Sequence, residues 1–304
     1  MAQISYREAL RQALGEELER DERVFIMGAE VGYFGGGFRV SDGLLATYGD
    51  RRVRDMPNSA AAIVGAGIGA ALGGLKPVIE LTSRDANALA ISSMLAMAAG
   101  SRPRAQGRAK VPIVIRVTIL RGDETDALDA QSVEGFFVNS DTVRVAAPAT
   151  PADAKGLLKS AIRGDQPVIF VEHESLYDAV GEVPGDRDLI LPFGKANVLR
   201  EGADLTIVTY SRCVHEAIGA AEMLAKDGIE AELIDLRTLN PLDMTTVVES
   251  VKRTRRAMVV CSARPGHADA EIAAQIYRGA YDSLAAPVER VRSAEIVECA
   301  RRLL

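Results

Sequence analysis

The sequence predicts an α/β protein made of two doubly wound domains with parallel sheets, and three observations predict it. Apolar runs of four to six residues alternate with amphipathic stretches along almost the whole chain, as βαβ units do. The apolar runs are close to unbroken, which suits strands covered on both faces. Between Val180 and Gly194 the pattern lapses into VGEVPGDRDLILPFG, a stretch with two prolines and three glycines that reads as a linker. That break divides the 304 residues into a larger domain, 1–185, and a smaller one, 186–304.

Taken in order, Tyr6–Glu19 places Leu10, Ala13, Leu14 and Leu18 on one helical face, and Val24–Met27 is a strand. A glycine-rich loop follows (Gly32, Gly35, Gly36, Gly37), then a small helix at Leu44–Tyr48 and a strand at Arg52–Asp55. Ala60–Leu75 carries no charge and is rich in glycine, but falls short of the roughly 20 residues that span a bilayer. It reads as a buried, closely packed helix. Strand Pro77–Leu81, helix Asn87–Ala99, the apolar strand Pro112–Val117, strand Thr142–Ala146, helix Pro151–Ile162 with proline in its first turn, and strand Pro167–Val171 complete the first set. The second set comprises strands at Ala196–Leu199, Leu205–Thr209, Ala231–Asp235, Ala257–Cys261 and Val288–Val291. Its helices are Val214–Ala225, Met244–Lys252, Ala270–Tyr281 and Glu295–Leu303.

Composition excludes several function classes. Lys+Arg number 36 against 42 Asp+Glu, for a net charge of −6, and no segment gathers the positive charge that a phosphate backbone requires, so nucleic acid is not an expected partner. Three widely spaced cysteines, Cys213, Cys261 and Cys299, build neither a disulfide framework nor a CxxC metal site, and favour a reducing, cytoplasmic setting. The N-terminal segment is charged, without the apolar core of a secretory signal.

Local motifs give little chemistry. Gly65, Gly67 and Ala70 fit the dinucleotide fingerprint GxGxxG/A, with Ala61–Val64 as the preceding strand, but the ribose-binding acid expected about 20 residues on is at best Glu80. A Gly/Ala helix is the plainer reading. The acidic loop with Asp123, Glu124, Asp126 and Asp129 lacks the spacing of a calcium loop and reads as solvated. His173, His215 and His267 stand far apart with no ligand spacing, so no metal site is expected. His215 reads as a packed or capping histidine. No GxSxG occurs.

Longer stretches, Ile4–Pro57, Val143–Tyr177 and Asp204–Asp243, closely resemble the β subunit of the E1 component of 2-oxo acid dehydrogenase complexes, of the pyruvate or branched-chain type. The resemblance implies a pyrimidine-binding domain followed by a transketolase C-terminal domain. It also implies a β–β dimer within an α2β2 heterotetramer, with thiamine diphosphate and Mg²⁺ held mainly by the α chain, and an E2 acyltransferase core as a further partner. The family's α chain holds the diphosphate with a GDG motif. The Gly-Asp pairs here, at Gly49, Gly122, Gly164 and Gly185, all lack the second glycine.

The resemblance also locates departures from the family. The motif like P-I-S-E, whose glutamate protonates N1′ of the cofactor's pyrimidine, reads Pro57-Asn58-Ser59-Ala60. A methyl cannot share that proton, and acid–base steps contribute about 10²–10⁴-fold. G-E-D/E-V reads Gly28-Ala29-Glu30-Val31, and E-F-M-T-F-N-F reads Glu80-Leu81-Thr82-Ser83-Arg84-Asp85-Ala86, placing Arg84 and Ala86 where rings wall the pocket. Aligning Gln131-Ser132-Val133-Glu134 on Q-S-L-E puts Asp129 at the family's histidine. The tail after the last strand, Arg292-Ser293-Ala294-Glu295, is shortened. Asn58, Ser59, Ala60, Arg84, Asp85, Asp129 and Gln131 are therefore the expected pocket residues. Two outcomes are open: altered or reduced thiamine chemistry, with Asp85 or Glu30 as a conceivable substitute acid, or a non-catalytic assembly or regulatory subunit. Dinucleotide binding is third.

Overall fold

The computed structural model describes residues 1–82, 84, 110–121, 133–261 and 268–304. The first half supplies β1 (Ala2–Ser5), α1 (Tyr6–Arg20), β2 (Val24–Gly28), α2 (Leu44–Tyr48), β3 (Val53–Asp55), α3 (Ala60–Leu72), β4 (Lys76–Thr82), β5 (Val114–Ile119), β6 (Arg144–Ala146), α4 (Pro151–Arg163), β7 (Val168–His173) and β8 (Val180–Val183). The second supplies β9 (Asn197–Arg200), β10 (Leu205–Thr209), α5 (Cys213–Lys226), β11 (Ala231–Asp235), β12 (Thr238–Asn240), α6 (Met244–Thr254), β13 (Ala257–Cys261), α7 (Ala268–Ala280), β14 (Glu289–Arg292) and α8 (Ile296–Leu303). The expected helix at 87–99 lies outside the described residues.

The strands form a seven-stranded sheet, β12-β6-β7-β5-β4-β2-β3, and a five-stranded sheet, β14-β13-β10-β11-β9. All their pairings are parallel except β12 on β6 and β9 on β11. Helix ends are set by local chemistry. Ser5 caps α1 by accepting the Glu8 N–H at 3.1 Å, and Thr150 caps α4 through the Asp153 N–H while Pro151 opens the helix.

The first sheet is buried on both faces, and strand parity decides which side chain lies where. Phe25, Met27, Ile79, Leu81, Ile115, Val117, Ile169 and Val171 pack toward α3, with Ala60, Ile63, Val64 and Ile68. Val24, Ile26, Val78, Val114 and Phe170 pack toward α1 and α4. Gly67 belongs to the first layer, where a Cβ would stand 2.6 Å from Ile79 Cδ1, so α3 lies close against the sheet.

The structure corrects three expectations and adds one strand that the sequence reading did not include. The stretch 180–194 is not all linker: β8 pairs antiparallel with β1, Ile4 opposite Gly181. β12 leaves the second half to extend the first sheet, Thr238 opposite Ala146. The strand read as apolar over Pro112–Val117 carries the buried Arg116. The Ala60–Leu75 helix ends at Leu72 and is only half-buried, since Ala62, Ala66, Gly69 and Leu72 are exposed.

Candidate functional site at the carboxyl edge of the first sheet

Because β2, β3, β4, β5 and β7 run parallel, their carboxyl ends lie along one edge, where open α/β sheets present ligand-binding loops. Met56–Ser59 leads from β3 into α3 there. Ser59 occupies the N-cap in extended conformation (φ −144°, ψ 94°) but its hydroxyl caps nothing, and the first turn holds no acid. Ala60 is buried in the apolar layer beneath α3, while Asn58 and Ser59 are exposed and the Ser59 hydroxyl makes no capping bond to the helix. The helix thus starts with N–H groups that its N-cap side chain leaves uncapped, beside two exposed polar side chains.

The glycine-rich loop after β2 is fastened by two carboxylates. Asp55 accepts the Gly32 N–H at 2.6 Å and the Tyr33 N–H at 3.1 Å, and Glu80 accepts the Gly37 N–H at 3.0 Å. Gly36 has φ +81°, and a Cβ there would stand 2.2 Å from Glu80 Oε1, so glycine is required both for the backbone and for the contact. The loop displays Tyr33 and Phe34, 80% and 58% exposed, edge to face with centroids 4.8 Å apart.

Beneath the loop lies an ion cluster that sequence reasoning missed. Arg116 donates from Nη1 to Glu80 at 2.8 Å, and from Nε and Nη2 to Glu172 at 2.6 and 2.8 Å. Tyr177 Oη donates to Glu172 at 2.7 Å and lies 2.6 Å from Thr118 Oγ1. Burial works against the Arg116 charge, but Glu172 and Glu80 outweigh it and hold the guanidinium firmly protonated. Glu80 is held above the usual carboxylate range by burial, with Glu172 adding and Arg116 opposing. The signal was available: charged residues break the apolar runs of three neighbouring strands at positions of the same parity. All three side chains face α1 and α4, on the opposite side of the sheet from Ala60.

Of the expected pocket residues, the structure brings Asn58, Ser59 and Ala60 to the start of α3 and leaves Arg84 exposed two residues past β4. Asp85, Asp129 and Gln131 lie outside the described residues, as do the acidic loop and His267. Glu30, a conceivable substitute acid, is exposed with φ 60°, and its carbonyl accepts the Phe34 and Gly36 N–H groups. The dinucleotide reading is overturned: Ala61–Val64 is helix rather than strand, and Gly65, Gly67 and Ala70 lie inside α3, so no glycine turn faces a pyrophosphate. His173 is buried and its Nδ1 accepts the Ser175 N–H at 3.1 Å, and His215 Nε2 lies 2.9 Å from the Ala149 carbonyl. No group of three or more metal-ligating side chains occurs among the described residues.

Two mostly parallel sheets with a site at the carboxyl edge of the larger define a transketolase-like, two-domain chain. Residues 2–179 match the transketolase pyrimidine binding domain and residues 194–303 the transketolase C-terminal domain. A split-gene transketolase, solved as an inactive β4 tetramer, superposes with a TM-score of 0.80 over 99% of this chain and 98% of its own, at 21% identity. The β subunit of 2-oxoisovalerate dehydrogenase from Bacillus subtilis is 42% identical over 298 residues, covering 97% of this chain and 91% of the relative. The pyruvate dehydrogenase E1 β subunit of the same organism is 41% identical (98% and 92% covered). The β subunit of acetoin:2,6-dichlorophenolindophenol oxidoreductase from Cupriavidus necator is also 41% identical (95% and 88%). The chain belongs to the family of E1 β subunits of 2-oxo acid dehydrogenases.

Proposed function

We propose that this chain is the β-type half of an α2β2 heterotetramer of the thiamine-diphosphate 2-oxo acid dehydrogenase type, with an altered activating site and therefore divergent or reduced chemistry. The observation that carries the reading is Ala60, buried at the first position of α3 in a turn with no acid. When bound, thiamine diphosphate supplies a carbanion that attacks a 2-oxo acid carbonyl, and its activation needs a proton held at the pyrimidine ring. The first turn of α3 supplies no group for it, and the buried acid flanked by residues of the same apolar layer, Glu134, accepts the Tyr210 hydroxyl at 3.2 Å. The buried carboxylates Glu80 and Glu172 face the other side of the sheet and are engaged by Arg116 and Gly37.

Asn58 and Ser59, with Arg84, Asp85, Asp129 and Gln131, are the residues we assign to the altered pocket. Residues 1–185 form the pyrimidine-binding domain in this reading and 186–304 the C-terminal domain. The partner is supported by α3, whose outer face, Ala62, Ala66, Gly69 and Leu72, starts at the pocket and carries no charge. An α chain supplying the diphosphate and Mg²⁺ half of the site would cover it, while a β–β contact and an E2 acyltransferase core would complete the assembly. No helix among the described residues is long and apolar enough to cross a membrane, and we place the complex in the cytoplasm.

The same loss of an acid favours a second reading, a non-catalytic assembly or regulatory subunit. Ala60→Glu in the reconstituted complex separates the two. A gain of 2-oxo acid decarboxylation, on the order of 10²-fold, shows that the remaining machinery is intact. No gain, with no thiamine diphosphate bound by the variant complex, shows a retired pocket.

A further inference from the structure

Where the two sheets join, the described residues set two buried carboxylates, Asp153 and Asp235, beside one partly buried guanidinium, that of Arg237. β11 ends at Asp235, belonging to the second sheet, and three residues later β12 begins, belonging to the first. Arg237 makes the turn with φ 58°. Asp235 is fully buried: Oδ1 accepts the Arg237 N–H at 2.9 Å, and Oδ2 has no hydrogen-bond partner among the described residues. Asp153 on α4 is also buried, but it is fully engaged, taking Arg237 Nη2 at 2.8 Å on Oδ1 and the Thr150 hydroxyl at 2.7 Å on Oδ2. Arg237 therefore bridges the halves by pairing with Asp153, and Asp235 is left with one backbone N–H.

The same seam carries backbone bonds between the halves: Ser211 N–H to the Ala147 carbonyl at 3.1 Å and Ala147 N–H to the Arg237 carbonyl at 2.9 Å. Within the second half, Leu236 N–H bonds the Thr209 carbonyl at 2.9 Å. The other groups facing Asp235 do not relieve it. α1 contributes Tyr6, a buried phenol raised well above its usual value by burial and then by nearby carboxylates including Asp153 and Asp235. β9 and β10 contribute Asn197 and Thr209, which are neutral, and α5, packed on β11, carries His215, whose Nε2 lies 2.9 Å from the Ala149 carbonyl.

We propose that this seam is proton-operated: Asp235 carries a proton while the seam is closed, and its ionisation draws Arg237 from Asp153 and loosens the junction of β11 and β12 with α4. The driving force is the cost of a second buried carboxylate beside a single cation. Burial and then the Asp153 charge push Asp235 up to about 7, with the Arg237 N–H and guanidinium opposing. A carboxyl raised in the folded state binds an extra proton there, so its stabilising contribution is present at low pH and lost as pH rises from about 4 to about 7. The consequence is a coupling of pH to how firmly the two halves are held.

The test is amide hydrogen exchange of the full-length chain at pH 6 and pH 8, corrected for the intrinsic rate, reading Ala147, Ser211 and Leu236 against amides of β2, β4 and β5. The expected result is a loss of seam protection about tenfold larger than in the reference strands, abolished in Asp235→Asn. An equal loss in that variant, or no loss specific to the seam in the native chain, overturns the proposal. Should Asp235→Asn fail to fold, carboxyl-carbon NMR of the native chain decides. Titration of Asp235 near neutrality supports the proposal, and titration near its ordinary value of about 4 sinks it.

Discussion

The two faces of the seven-stranded sheet differ sharply in how they treat charge. Toward α1 and α4, the sheet buries Glu80, Arg116 and Glu172 in a cluster whose guanidinium satisfies both carboxylates. Toward α3 the strands bury apolar side chains and, at the carboxyl end of β7, the imidazole of His173, but no carboxylate of β2, β4, β5 or β7, and α3 itself contains no charged residue. The proposed function turns on an acid at the start of α3, and the first turn of that helix holds Ala60 and no acid. The cluster cannot stand in for it, because reaching the other face would require shifting a strand's register by one residue and turning every neighbouring side chain over.

The largest expected effect breaks the charged face. Arg116→Met leaves two buried carboxylates without their cation and should destabilise the chain by about 3–5 kcal/mol, read from urea unfolding. Gly36→Ala comes next, since it combines φ +81° with a Cβ placed onto the Glu80 carboxylate. A loss of about 2 kcal/mol, with faster proteolysis of the loop at residues 29–43, is expected. Glu80→Gln should alter stability less than either and instead change its pH dependence. Glu80 is raised in the folded state, so its contribution is present at low pH and declines as pH rises above the ordinary carboxylate value. The glutamine variant lacks that decline, and an unchanged slope of unfolding free energy against pH would show that Glu80 titrates normally. Smallest of all is the apolar face: Ala62→Glu, on the exposed side of α3, should change the isolated chain's stability by less than about 0.5 kcal/mol. Its effect should fall on association with an α-type chain, measured by sedimentation, and undiminished association would detach that face from the partner.

Most of the architecture was legible because it rests on local pattern. The capped amphipathic α1, the Pro-initiated α4 and the apolar strands each announce themselves within a dozen residues. What escaped was pairing at long range. β1 and β8 are four residues each and stabilise one another across the first half, and β12 is a three-residue strand whose partner, β6, lies about ninety residues earlier. The site was legible only in part. The motif position of Ala60 was readable and falls at the start of α3, whereas Arg116 was passed over inside a strand taken as apolar. Its two carboxylates become partners only when β4, β5 and β7 are laid side by side. Asp235 and Asp153 escaped similarly, since one guanidinium shared between two halves has no local signature.

The most direct test of the central claim, that this chain still completes an α-type partner's cofactor site while lacking the activating acid, is native mass spectrometry of the protein isolated gently from its own cells. It reports subunit stoichiometry and bound small-molecule mass together. An α2β2 mass carrying thiamine diphosphate is the predicted result. A β-only assembly without the cofactor would contradict it and show that the scaffold serves something other than thiamine chemistry.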